Sequence, residues 1–195
     1  MKPNKNAVIV LFILIIWFIG YAVLKAQYDP YIKTYSDLFN IPDWRLLKAQ
    51  IAVESNFNAS AVSVAGAKGL GQFIPSTWDY YAKGLDPFDA ELNIMIMCKM
   101  MRSIYLGKQV SLCEPALFDR WYYSTKVYNG GFKWIHNINS NLVLSGKEKF
   151  TFSEAQDVQT KWWKQWGFRE NAYIENFSYP LKIKKKYMKY QCGLE

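Results

Sequence analysis

Between Ala7 and Leu24 the chain reads AVIVLFILIIWFIGYAVL, eighteen residues without a charge, with Lys2 and Lys5 before the run and Lys25 after it. As a helix this run would reach about 27 Å, close to the roughly 30 Å of a hydrocarbon core. No polar stripe interrupts it, so it lacks the two-sided character of a helix lying on a globular core. The run predicts a single transmembrane helix within residues 1–26, with the membrane as partner through residues 7–24. A cleaved signal peptide is the alternative, with Gly20, Ala22 and Ala26 supplying small residues, although the apolar stretch is long for that purpose. Lys2, Lys5 and the terminal amine outweigh Lys25 and Lys33, which leaves the N-terminus inside and carries the body across.

Residues 27–35, with Pro30 and several charged and tyrosine residues, read as a juxtamembrane linker, and residues 36–195 as one folded body. A hydrophobic content of 51% with 17% aromatic residues excludes a disordered or fibrous chain. The body reads as all-α. Pro42 and Asp43 open a helix through WRLLKAQIAVE whose wheel has two apolar sides, Leu46, Val53 and Phe57 on one and Trp44, Leu47 and Ile51 on the other. Pro75 starts another that stops at Gly84; Asp86 and Pro87 open an apolar one whose methionines are core filler. A fourth ends at Asn129, Gly130 and Gly131. Thr151 and Glu154 have capping-box spacing, and Pro180 opens a basic terminal helix.

Glu54 stands beside the second apolar side of its helix and near the C-terminal end, where lost solvation and the negative helix end both favour a neutral carboxyl. Such a group can deliver a proton; a surface glutamate is the plainer reading. Asp86 and Asp89 read as helix-start residues, and His136 as solvated. Trp162, Trp163 and Trp166 fit core packing, sugar stacking or a membrane interface. Cys98, Cys113 and Cys192 have neither zinc-site spacing nor an even count, so no metal and no cofactor are expected, while a Cys98–Cys113 disulfide stays open. The net charge of +8 and the tail LKIKKKYMKY point to a solvated face or to an anionic surface, and no nucleic-acid motif accompanies them.

Three segments then follow in order: ESNF from Glu54, AVSVAGAKGLGQFIPSTW from Ala61, and VYNGG from Val127. Together they closely resemble the lytic transglycosylase domain of the soluble lytic transglycosylase family, relatives of goose-type lysozyme, which reads E-S-x-F, A-x-S-x-x-G-A-x-G-L-x-Q-x-x-P-x-T and A-Y-N-x-G. Val127 replaces the family's alanine, and Gly130 before Gly131 is expected to loosen the loop. Tyr173 and Ile174 resemble a late Tyr-Val pair, with Arg169 where many members carry an acidic substrate contact.

The resemblance implies a lysozyme-like fold that cleaves the β-1,4 bond between N-acetylmuramic acid and N-acetylglucosamine in peptidoglycan, leaving 1,6-anhydro ends. Glu54 would be acid and then base, and Tyr128 would orient it by a hydrogen bond. Ser63, Gln72, Ile74 and Asn129 would line the sugar sites, together with Tyr173. The setting implied is local wall opening from the periplasmic or wall side, by a bacteriophage lysis or penetration protein or within a secretion or conjugation apparatus; secretion or a place in the virion is the alternative. Two other functions fit the same residues: a peptidoglycan-binding assembly factor that does not cut, and a hydrolytic lysozyme.

Overall fold

A computed structural model describes residues 5–113 and 116–193; the side chains at 5, 7, 17–19, 21, 22, 24, 25 and 117 lie outside that description. Among the described residues the regular structure is helical: α1 (Lys5–Ala26), α2 (Asp29–Leu38), α3 (Trp44–Glu54), α4 (Pro75–Ala82), α5 (Ala90–Leu106), a 3₁₀ turn (Val110–Leu112), α6 (Leu117–Gly130), α7 (Phe132–Leu144), α8 (Phe152–Trp162) and α9 (Glu170–Gln191). No strand occurs among them, and isolated bridges pairing Lys68 with Val62 and with Phe73 shape the loop before α4. The all-α expectation holds.

In α1 the side chains from Val8 to Ile16 are all between 40% and 66% exposed. Among the described residues no helix is long and apolar enough to cross a membrane. The expected span over residues 7–24 includes positions outside the described side chains.

Residues 29–38 are helical where a linker is expected. Pro30 occupies the first turn of α2, Asp29 supplies an acidic residue at its positive end, and the Lys48 ammonium meets that carboxylate at 2.7 Å. Ile32 is fully buried, so α2 is part of the body's core. Two other helices start later than expected for one reason. Asp43 caps α3 by accepting from the Arg45 N–H (2.9 Å), and Asp89 caps α5 by accepting from the Leu92 N–H (3.0 Å). Each aspartate lies outside its helix, and Pro42, Asp86 and Pro87 belong to the approaching turn. The capping box of Thr151 and Glu154 forms as read.

Pro180 does not open a helix; it sits inside α9. Proline removes the N–H that would bond the carbonyl four residues earlier, that of Asn176. The Lys126 ammonium, fully buried on α6, donates to that carbonyl at 3.4 Å and to Gln159 of α8. A side chain thus replaces the lost backbone donor, and α9 runs on unbroken.

α9 packs against both α3 and α6. Leu46, Leu47 and Ile51 of α3, Trp121 of α6, and Ile183 and Tyr187 of α9 are all buried. Each large apolar side chain so buried contributes roughly 1.5–3 kcal/mol, which fixes the relative positions of the three helices that build the site. Met97 and Met101 are core residues, as read. Cys98 and Cys113 are both buried and form no disulfide.

Candidate active site

α3 ends at Glu54 because the chain turns sharply after it: Asn56 and Phe57 both take left-handed backbone conformations, with φ of 48° and 64°. That conformation disfavours a residue such as phenylalanine by about 1 kcal/mol or more, and burial of the Phe57 ring offsets it. The turn leaves the Glu54 carboxyl at the helix terminus, partly open to a cavity of about 480 Å³. That volume falls within the roughly 300–1,000 Å³ of small-ligand sites.

Burial pushes the Glu54 carboxyl up from its usual range to about 7, and the nearby Glu175 carboxylate adds to the rise. A hydrogen bond from the Tyr179 hydroxyl to Oε1 opposes both, because it favours the charged form. The net result is a carboxyl poised near neutrality, able to hold a proton and to release it. Phe73 and Met100 supply apolar surface to the same cavity, which explains the poor solvation.

The loop between α3 and α4 forms the facing wall. Gly71 is held at both ends of its peptide units: its N–H donates to Asn93 Oδ1 (2.8 Å), and its carbonyl accepts from the Tyr128 hydroxyl (2.6 Å). A Cβ at Gly71 would lie 2.9 Å from both the Tyr128 hydroxyl and the Phe73 ring, so only glycine fits. Next in the chain, Gln72 has φ of 51°, and its Nε2 donates to the carbonyls of Gly69 (2.9 Å) and Ala61 (3.2 Å). With the amide nitrogen committed to the loop, its carbonyl oxygen is the atom left to accept from a ligand.

Glu54, Tyr128, Ser63, Gln72, Ile74 and Asn129 all line this one cavity. Ser63 Oγ accepts from the Ala67 N–H (3.0 Å) and so shapes the loop as well. Asn129 is held between Asn176 Nδ2, which donates to its Oδ1 (3.3 Å), and Glu175 Oε1, which accepts from its Nδ2 (3.2 Å). Gly130 does not loosen this region: a Cβ there would lie 2.5 Å from Asn176 Nδ2, and the close approach ties α6 to α9.

Two expected roles fall to other residues. The Tyr128 hydroxyl is engaged by Gly71, and the hydrogen bond to Glu54 comes from Tyr179. Tyr173, expected at the sugar sites, lies outside the cavity; its ring stacks on Trp163 at 4.6 Å with an interplanar angle of 5°. Tyr179 is the α9 tyrosine on the cavity wall, and Glu175, one turn before it, is an acidic group on the same wall. Their signal in the sequence is the helical spacing Glu175, Tyr179, Lys182, hidden when Pro180 is taken as a helix start. Asp86 and Asp89 do not line the cavity; Asp86 accepts from the Phe88 N–H (2.9 Å) as a turn residue. Among the described residues no cluster of three or more potential ligands could hold a metal ion.

A helical body that holds one carboxyl near neutrality in an open, partly apolar cavity has the equipment of a general acid catalyst. Residues 30–149 match the Transglycosylase SLT domain, well over half of the chain, and the chain belongs to that family. A membrane-bound lytic murein transglycosylase F from Marinobacter nauticus is 25% identical over 166 residues, 83% of this chain and 32% of that protein. The chain therefore spans about a third of the length of this curated relative. Residues 150–195, which include α8 and α9, follow the matched region, so Tyr179 and Glu175 come from outside it.

Proposed function

We propose that this protein is a peptidoglycan lytic transglycosylase, cutting the bond from N-acetylmuramic acid to N-acetylglucosamine with Glu54 as its one acid and base. The observation that carries the reading is the Glu54 carboxyl, poised at about 7 in the cavity that also gathers the motif residues Ser63, Gln72 and Asn129. Protonated Glu54 gives its proton to the bridging oxygen as the C1–O bond breaks, and the substrate's acetamido oxygen closes on C1 to carry the positive charge. The Glu54 carboxylate then takes the proton of the C6 hydroxyl, whose oxygen attacks C1, opens the cyclic intermediate and closes the 1,6-anhydro ring. Glu54 ends protonated, ready for the next bond. Tyr179 holds its Oε1 throughout. Internal attack is entropically favoured over recruitment of water.

Glu175 supports a second reading, a hydrolytic lysozyme, because it places another carboxylate on the same cavity. In that case Glu175, and not Asp86 or Asp89, would position the water. A wall-binding factor that does not cut has no use for a carboxyl held near neutrality. Replacement Glu54→Gln keeps the shape of the side chain and removes the proton; release of glycan fragments from purified sacculi is expected to fall by several orders of magnitude, and comparable release would remove Glu54 from this role.

The proposed setting is a membrane-anchored enzyme with its body on the periplasmic or wall side, opening the wall locally in phage lysis or within a secretion or conjugation apparatus. Support for the anchor is the uncharged run itself and the exposed apolar side chains of α1, which have no place in the body's core. Removal of residues 1–26 leaves α2 whole and is expected to give a soluble body active on sacculi; insoluble or unfolded material would contradict that boundary.

A further inference from the structure

Three side chains of α9 share one wall of the cavity: Glu175, Tyr179 and Lys182. At positions i, i+4 and i+7 they follow one helix face over about 10 Å. Tyr179 serves Glu54, and Glu175 holds Asn129. Lys182 has no part in either. It is exposed, and among the described residues it forms no ion pair. An exposed cation on the cavity wall, with no carboxylate among the described residues paired to it, is placed to meet a charge brought by the ligand.

Within the glycan of peptidoglycan the two sugars differ in one group, the lactyl ether of muramic acid, and the negative charge of the strand resides there or on the peptide attached to it. We propose that Lys182 forms a carboxylate-binding subsite that receives this muramic-acid-borne carboxylate, either the lactyl group's own or one on the stem peptide. The inference rests on the peptidoglycan reading above. Its consequence is register: a strand slid by one sugar presents a neutral N-acetylglucosamine to Lys182, so the ammonium favours the frame in which the correct bond lies at Glu54. A lysine suits a substituent of variable length, being a single charge on a flexible stem.

The test measures binding to the full chain carrying Glu54→Gln, so that turnover does not intervene, with and without Lys182→Met. Three soluble glycan strands serve as probes: strands with intact stem peptides, the same strands with carboxyls converted to methylamides, and strands stripped of peptide by an amidase, which exposes the lactyl carboxylate. Lys182→Met is expected to weaken binding about fivefold wherever the recognised carboxylate is present and to leave the methylamide strands unaffected. Loss confined to peptide-bearing strands places the carboxylate on the stem; loss on stripped strands places it on the lactyl group. Lys182→Arg should retain most of the affinity, and raising salt to about 0.5 M should erase the difference between the proteins. Equal affinities for all three strands with and without Lys182, or a loss as large on methylamide strands, would overturn the proposal. Should the chain with Glu54 intact bind these strands and leave them uncut, the transglycosylase reading fails while the subsite stands.

Discussion

The hydroxyl of Tyr179 donates a hydrogen bond to Glu54 from 125 residues further along the chain. α9 delivers it, packed on α3, and the contact sets two opposing influences on one carboxyl: burial raises it and the tyrosine holds it back. In the proposed mechanism an acid raised without restraint would keep its proton at neutral pH, and an acid left in water would have lost it before the first step.

Tyr179→Phe removes the restraint without removing the ring. The hydrogen bond favours the charged form, so its loss moves the Glu54 carboxyl further up. The alkaline limb of the pH–rate profile should shift to higher pH, while the rate near neutrality falls about tenfold through poorer positioning of the carboxyl. A profile that moves to lower pH, or does not move, would contradict the assignment of Tyr179.

Glu54 should also cost the protein stability above neutral pH. Its carboxyl is higher in the folded chain, at about 7, than the ordinary 4.5, so the folded state binds the proton more tightly. Stability is fully present below pH 4.5 and is lost as the pH rises toward 7. Glu54→Gln should therefore melt higher than the parent at pH 8, by the equivalent of about 2 kcal/mol, with the gap closing by pH 4.5. A gap that does not change with pH would contradict the burial of the carboxyl.

Much of this site is legible in the sequence because its near half is local. Glu54, the glycine loop up to Gln72 and Ile74, and Tyr128 with Asn129 sit in short segments with glycines and helix ends, and it is the family resemblance carried by those segments in order that marks them. The α9 half is not local. Whether Tyr173 or Tyr179 reaches the cavity depends on helix phase, and the phase is hidden by Pro180, which is tolerated only because Lys126 arrives from α6 to satisfy the Asn176 carbonyl. Likewise the start of α2 inside the expected linker depends on Ile32 finding the core and Asp29 finding Lys48. Caps are the opposite case. Thr151 with Glu154, and Asp89 before α5, work within one turn and need no distant partner.

Lys126 carries a pH dependence of opposite origin. Burial among Phe152, Phe177 and amide groups pulls its ammonium down from 10.5 to about 7. The unfolded chain then binds the extra proton between those values, so the cost is largest below pH 7 and fades as the pH rises toward 10.5. Lys126→Met loses hydrogen bonds at every pH but is released from that cost. Relative to the parent, the variant should be a few kcal/mol better placed at pH 6 than at pH 10 in denaturant unfolding. Parallel stability curves would show that Lys126 is not desolvated as described.

Mass spectrometry of the muropeptides released from purified sacculi at the earliest time points discriminates most directly between internal attack and hydrolysis at Glu54. Internal attack by the C6 hydroxyl leaves 1,6-anhydro-N-acetylmuramic acid at the new ends, and these should be nearly all the ends formed, with none formed by the Glu54→Gln protein. Predominance of reducing muramic acid ends would instead show that water is the nucleophile, and would make Glu175 the group that positions it.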